Sequence, residues 1–206
     1  MKEKIMPPFV LTLICIIVCG LLVFAYNCTY VDNTGVLTDD MKKGCEEIFG
    51  QGNYEIILEP NTEKKTPVTF GTEGVNSIIT DKENNACLIE ITQDGYSKGG
   101  IHILVGINDE GAVEGIYFLS IGETPGLGAE IAKPKFSDQF RDKKLFKDGE
   151  FKSVAVLKKG QKPAAGEDYV DAITGGTITS RGVQSMIMSC LSDYQVFLKN
   201  LQNDKK

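Results

Sequence analysis

The sequence predicts an α+β fold: a largely antiparallel twisted sheet flanked by helices and preceded by one N-terminal transmembrane helix. Three observations carry this. An uncharged run, "FVLTLICIIVCGLLVFAY", lies near the N-terminus; short β-prone runs cluster mid-chain; and a long amphipathic segment follows them.

The run Phe9–Tyr26 spans about 27 Å at about 1.5 Å per residue, close to the hydrocarbon thickness of a bilayer. A cleaved signal peptide is the alternative. Its apolar region is typically about 7–15 residues and ends at a small-residue site, whereas this run is longer and ends in "AYNC", with bulky Tyr26. Lys2, Lys4 and the amino terminus precede the span, and Asp32, Asp39 and Asp40 follow it. The positive-inside rule then gives a single-pass protein of the cell (inner) membrane. Residues 1–8 form a cytoplasmic tail, 9–26 the transmembrane helix, 27–52 a juxtamembrane segment and 53–206 an extracytoplasmic domain.

Within 27–52, "LTDDMKKGCEEIFG" places Leu37, Met41, Cys45 and Ile48 at helical spacing, with Gly50 as a stop. "YEIILE" reads as the first strand and "EPNTEKKTP" as a polar loop. "VNSIITDK" and "ACLIEITQDG", separated by "ENN", are further strands. "GGIHILVGINDEGAVEGIYFLSIG" gives two more, Ile101–Ile107 and Val113–Ile121, around the turn "NDEG". The first of these is nearly apolar throughout, as in a strand covered on both faces. His102, the only histidine, lies in it and is expected to be packed and hydrogen-bonded rather than catalytic.

"AKPKFSDQFRDKKLF" is amphipathic and predicts a helix after Pro134; "FKDGEFKSVAVLKK" predicts a turn and another strand. In "ITSRGVQSMIMSCLSDYQVFLKNLQ" one broad stripe runs through Val183, Met186, Ile187, Cys190, Leu191, Tyr194, Phe197, Leu198 and Leu201. These positions are expected to form core. No period of 20–50 residues repeats, which excludes a solenoid.

The net charge of −6, with no basic run longer than a pair, argues against a nucleic-acid partner. Of six cysteines, Cys15 and Cys19 lie in the apolar span and Cys28 at its edge. Cys45, Cys87 and Cys190 are widely spaced, without a C-x-x-C pair or a His-Cys cluster, so neither zinc nor an iron–sulfur centre is indicated. They are expected to be small buried hydrophobes.

Two segments are equipped for chemistry. "IGETPGLGAE" follows a strand with Gly122, Pro125, Gly126 and Gly128 in close succession, which reads as a surface turn or as a binding loop. In the second reading Leu127, held between glycines, presses on a flat ring, and Glu123 and Thr124 supply polar contacts. "DAITGGTITS" places Gly175 and Gly176 before a helix start, where unpaired N–H groups favour phosphate, and adds the hydroxyls of Thr174, Thr177, Thr179 and Ser180. Ordinary helix capping explains the same residues. No Gly-Lys-Ser/Thr follows, so this is not a Walker motif. If both segments are only turns, the chain is a non-redox anchored binding module.

Read together, "ETPGLGA" and "DAITGGT" resemble the FMN-binding domain shared by the Rnf and Na⁺-translocating NADH:quinone oxidoreductase complexes. The resemblance extends over the anchor, "DGYSKGGIHILVGIN", "EGIYFLSIGETPGLG" and "DAITGGTITSRGV" with its helix, in the family's order. The length, without the insertions associated with the quinone-reductase C subunit, favours the Rnf G subunit.

The family's motif Asp-x-x-Ser/Thr-Gly-Ala-Ser/Thr carries FMN covalently on its last hydroxyl. The match implies that role for Thr177, with Asp171, Thr174 and Gly175 in support. Gly176 departs from the motif's alanine, and the smaller residue leaves the acceptor open to the modifying enzyme. The resemblance further implies a separate Mg²⁺-dependent flavin transferase with FAD as donor, no catalytic residue in this chain, and other membrane subunits as partners. Ferredoxin and NAD would bind elsewhere in that complex, since no G-x-G-x-x-G unit and no cysteine ligand cluster is present.

Overall fold

The computed structural model describes residues 2–29, 36–58, 74–81, 86–144, 146–147, 150–151 and 154–204. Asp32, the "EPNTEKKTP" loop, the "ENN" connection and the Asp148–Gly149 turn lie outside the described residues. The chain divides into two compact units, Met1–Asn33 and Thr34–Lys206.

The first unit is helix α1, Lys2–Thr29. Its stretch Val10–Thr29 is long and apolar enough to cross a membrane, and its side chains are exposed. A helix apolar on every side is at home in lipid or in a protein core.

The second unit opens with α2, Asp39–Phe49. Thr38 caps it in extended conformation, accepting the Met41 amide on Oγ1 at 3.2 Å. Asp39 and Asp40 complement the dipole in the first turn, and Gly50, at φ 89°, ends the helix where the spacing predicts a stop. Strands β1 (Tyr54–Leu58), β2 (Val75–Asp81), β3 (Ala86–Gln93), β4 (Ile101–Ile107) and β5 (Val113–Ile121) form one antiparallel sheet in chain order. The β4–β5 turn is held by Asn108, whose Oδ1 accepts the amides of Glu110 and Ala112.

Alternation along β3 and β4 builds two cores. Leu88 and Leu104 pack with Met41, Cys45 and Ile48 of α2 on one face. Ile89, Ile91, Ile103 and Val105 face the other way, toward the C-terminal helix. The apolar run of β4 therefore reflects burial on both faces, as its sequence predicts. Helix α2 sits close to the sheet because Gly44 has no side chain: a Cβ there would lie 2.6 Å from the Tyr117 ring. Gly44→Ala is expected to destabilise the unit by about 1–3 kcal/mol through overpacking, read as a lower urea midpoint with unchanged slope.

After β5 the amphipathic stretch is not one helix. It breaks into a 3₁₀ turn, Gly128–Ala132, then α3, Pro134–Ser137, and a second 3₁₀ turn, Asp138–Phe140. Pro134 forces Lys133 into extended backbone (φ −78°, ψ 141°) and so separates the first two pieces. The apolar residues still reach the core, where the Phe136 and Phe140 rings meet edge-to-face at 5.5 Å.

Strands β6 (Phe146–Lys147) and β7 (Glu150–Phe151) pair antiparallel, whereas β8 (Val154–Leu157) and β9 (Asp168–Asp171) pair in parallel. Helix α4, Thr177–Asp204, buries Val183, Met186, Ile187, Cys190 and Tyr194 against the sheet. The side chains of Leu191, Phe197, Leu198 and Leu201 lie outside the described residues. Tyr194 donates its hydroxyl to the Asn108 carbonyl at 2.8 Å, pinning α4 to the β4–β5 turn. Burial pushes its phenol, and the Cys45 thiol, up to about 12. Cys45, Cys87 and Cys190 are free and fully buried.

His102 is packed and hydrogen-bonded, with Nε2 2.8 Å from Glu90 Oε1. Ser77 Oγ donates to the other Glu90 oxygen at 2.5 Å. Burial would raise the Glu90 carboxyl, but hydrogen bonds from His102 and Ser77 and the imidazole charge outweigh it and hold the group below its ordinary value. A carboxyl lower in the folded than in the unfolded chain stabilises the fold above its unfolded value. That contribution disappears as pH falls through the folded value. Glu90→Gln is therefore expected to flatten the acid limb of the stability–pH curve below about pH 4, measured by urea titration at stepped pH.

Candidate functional site

The site forms where three segments meet at one end of the sheet: the turn 94–100 before β4, the loop 122–128 after β5, and the start of α4. Gly122 donates to the Gly100 carbonyl at 2.7 Å, carrying the β4–β5 pairing into the loop. The chain then turns through Thr124, whose carbonyl accepts the amides of Leu127 and Ala129. Gly126, at φ 73°, takes the left-handed conformation that this turn requires.

Glu123 points inward and is only 6% exposed. Its Oε1 accepts the Ser97 amide at 2.9 Å and its Oε2 accepts the Thr179 hydroxyl at 2.8 Å, across 56 residues of chain. Leu127 is half exposed and lies over the Gly175 backbone, where a Cβ would stand 2.7 Å from Leu127 Cδ2. Gly128 is buried against Gly176: a Cβ on Gly176 would be 3.2 Å from Gly128 Cα. The two glycine-bearing motifs, separated in sequence, thus interlock backbone to backbone.

The helix start is braced from within. Ser180 Oγ donates to the Gly176 carbonyl at 2.8 Å and accepts the Ile173 amide at 3.0 Å, closing the loop 173–176 onto α4. Gln139 holds the preceding strand, accepting the Asp171 amide at 2.7 Å and donating to its carbonyl at 3.3 Å. Ser97, Gln139 and the structural duties of Thr179 and Ser180 are not legible from the motifs. The one available signal is the pair of hydroxyls one helical turn inside a Gly-Gly start.

The four hydroxyls therefore separate. Thr179 and Ser180 are buried and engaged. Thr174 is exposed and Thr177, first residue of α4, is partly exposed. Neither the Thr174 nor the Thr177 hydroxyl has a hydrogen-bond partner among the described residues.

A groove lies on each side of this helix start. One, of about 640 Å³, is lined by Gly126, Lys135, Lys159, Asp171 and Thr174 among others. The second, about 670 Å³, lies between the 92–95 backbone and Ile178, Arg181 and Ser185. Ile178 is 60% exposed on the first turn of α4, an unusual setting for a large aliphatic side chain outside α1. Asp171 and Thr174 thus line one groove, while Glu123, Leu127, Gly128, Gly175 and Gly176 form the packed junction beside it.

An open hydroxyl at a helix N-terminus, glycine backbone with no side chains in the way, and flanking grooves wide enough for a planar heterocycle define a module of the flavin-nucleotide type. Residues 95–192 match the FMN-binding domain. The crystal structure of the C subunit of Na⁺-translocating NADH-quinone reductase from Parabacteroides distasonis is 38% identical, covering 71% of this chain and 77% of that one, with a TM-score of 0.52. The chain belongs to this FMN-binding domain family.

Among curated relatives, the C subunit of the Na⁺-translocating NADH-quinone reductase of Vibrio anguillarum is 44% identical over 85 residues, 41% of this chain and 33% of that protein. Its counterpart in Yersinia pestis is 36% identical over 105 residues, 50% of this chain and 39% of that protein. The chain thus spans about a third of the length of the curated relatives it matches. The counterpart from Shewanella oneidensis shares the fold, with a TM-score of 0.55 at 19% identity.

Proposed function

We propose that this chain is a membrane-anchored flavoprotein subunit that carries FMN through a phosphoester on Thr177 and relays electrons within an ion-translocating oxidoreductase complex. The observation that carries it is the unpartnered Thr177 hydroxyl at a glycine-lined helix start, interlocked with the "PGLG" loop. Asp171, Thr174 and Gly175 shape the acceptor segment, Leu127 gives the flavin ring an apolar face, and Gly176 keeps the approach to the hydroxyl clear. Glu123 and Thr124 belong to the same loop, Glu123 through its buried bonds and Thr124 through its turn.

Attachment needs an outside catalyst. A threonine hydroxyl is a weak nucleophile, and the chain's one histidine lies on β4, bound to Glu90. A Mg²⁺-dependent flavin transferase would position FAD so that the Thr177 oxygen attacks the FMN phosphorus. The O–P bond forms, the pyrophosphate bond breaks, AMP leaves, and the hydroxyl proton passes to a base of the transferase. FMN supplies the electron-transfer chemistry when bound; the protein contributes position and electrostatics. Covalent attachment also suits an extracytoplasmic domain, where a dissociated cofactor would be lost.

The anchor is α1, with the N-terminus cytoplasmic and the FMN-binding domain outside; the bilayer and the other membrane subunits are its partners. Two complexes qualify. The short chain favours the G subunit of an Rnf-type complex, coupling ferredoxin:NAD⁺ electron transfer to ion movement. The relatives, which are C subunits by name, favour the Na⁺-translocating NADH:quinone reductase. Affinity purification of the tagged chain from its host membranes separates these by the proteins that accompany it. A third outcome, a colourless protein bound to neither complex, would return the chain to a non-redox binding module.

A further inference from the structure

The glycines of "DGYSKGGI" and "PGLG" suggest room made for a ligand, but three of them make room for a side chain of the protein. A Cβ at Gly95 would stand 2.5 Å from Glu123 Oε1, one at Gly100 3.0 Å from the same atom, and one at Gly128 2.6 Å from Glu123 Oε2. The carboxylate is thus enclosed by backbone from two segments and bonded to a third element through Thr179. Around it the turn is closed by bonds from the Gly95 and Gly100 amides to the Ser97 carbonyl, and from Gly99 to Asp94 Oδ1. Gly182 continues the contact, since a Cβ there would lie 2.8 Å from the Asp94 carbonyl.

Resting on the flavin reading above, we propose that Glu123 is a positioning residue. Its buried carboxylate ties the 94–100 turn, the Leu127–Gly128 loop and the first turn of α4 into one unit, and so fixes how Leu127 and Thr177 are presented to FMN. Glu123 touches the protein rather than the flavin. The geometry requires two acceptor contacts at this point: without them the Ser97 amide and the Thr179 hydroxyl are left unpaired in a buried setting. A glutamine reproduces the bonding without the charge, because its carbonyl accepts Ser97 N–H and its amide donates to Thr179 Oγ1.

The test uses the full-length protein in detergent, first without flavin. In Glu123→Ala, hydrogen exchange at the Ser97, Gly100, Leu127 and Ala129 amides should quicken about 10- to 100-fold, while β3 and β4 amides keep their protection. Glu123→Gln should restore protection. With a flavin transferase and FAD, the initial rate of FMN incorporation should fall about tenfold or more in Glu123→Ala and return in Glu123→Gln. Should Glu123→Ala fail to fold, Thr179→Val removes one of the two bonds and takes the same readings.

Unchanged exchange in Glu123→Ala overturns the proposal. So does a glutamine variant as impaired in incorporation as the alanine variant with its core protection intact, since charge rather than positioning would then be at work. If the wild-type protein accepts no flavin, the flavin reading falls, and the exchange measurements alone decide the clamp.

Discussion

Thr177→Ala is expected to eliminate covalent FMN, and Thr177→Ser to retain it. The expectation rests on the division of labour among four neighbouring hydroxyls. Thr179 cannot serve as acceptor without releasing Glu123, and Ser180 cannot without opening the loop that it closes between Ile173 and Gly176. Thr174 is accessible but lies before the Gly-Gly pair, outside the helix start. At Thr177 an oxygen without a protein partner coincides with the N–H groups and dipole of α4, which favour the phosphate of the product ester. Serine offers the same oxygen at the same place. In-gel fluorescence after co-expression with a flavin transferase reads the result: a band in wild type and Thr177→Ser, none in Thr177→Ala. The alanine variant should unfold at the same urea concentration as wild type, because the replaced hydroxyl bonds no described residue.

The largest stability effect is expected at Gly128. An alanine methyl there would lie 2.6 Å from Glu123 Oε2 and 2.7 Å from Thr179 Oγ1, with Glu123 Cβ at 3.1 Å. The carboxylate has nowhere to retreat, because Gly95 and Gly100 already enclose its other oxygen. Overpacking and loss of a buried charged hydrogen bond together cost about 3–5 kcal/mol. Gly126→Ala provides the contrast. Its Cβ would meet nothing within 4 Å, so only the strain of φ 73° is added, about 1–2 kcal/mol. Urea unfolding of the two variants beside wild type should rank them in that order. Equal effects would show that backbone strain, not the enclosure of Glu123, governs this loop.

Much of the fold is legible in the sequence because its periodicities are clean. The alternation in β3, the apolar run of β4 and the Leu37–Ile48 spacing of α2 each place a face, and those faces meet in the two cores. What escapes reading has a physical cause. The stretch after Pro134 has helical amphipathicity, but proline divides it into turns too short to propagate a helix. Strand β9, "DYVD", is short and polar, and it exists through parallel pairing with β8 rather than through any pattern of its own.

The candidate site shows the same division. Glycine and hydroxyl placement identifies "ETPGLG" and "DAITGGT" as special, yet the roles within them are set by tertiary contacts. Glu123, expected beside the ring, turns inward to Ser97 and Thr179. Gly128 and Gly176, equally suited to a ligand, face each other. Gln139 clamps Asp171 from 32 residues away, a contact that no local pattern announces.

The central claim is a single covalent bond, and peptide mass spectrometry of the protein isolated from its own host membranes tests it most directly. The peptide spanning 171–181 is predicted to carry one FMN, with fragment ions placing it on residue 177. The same peptide recovered wholly unmodified from a membrane preparation active in electron transfer would contradict it.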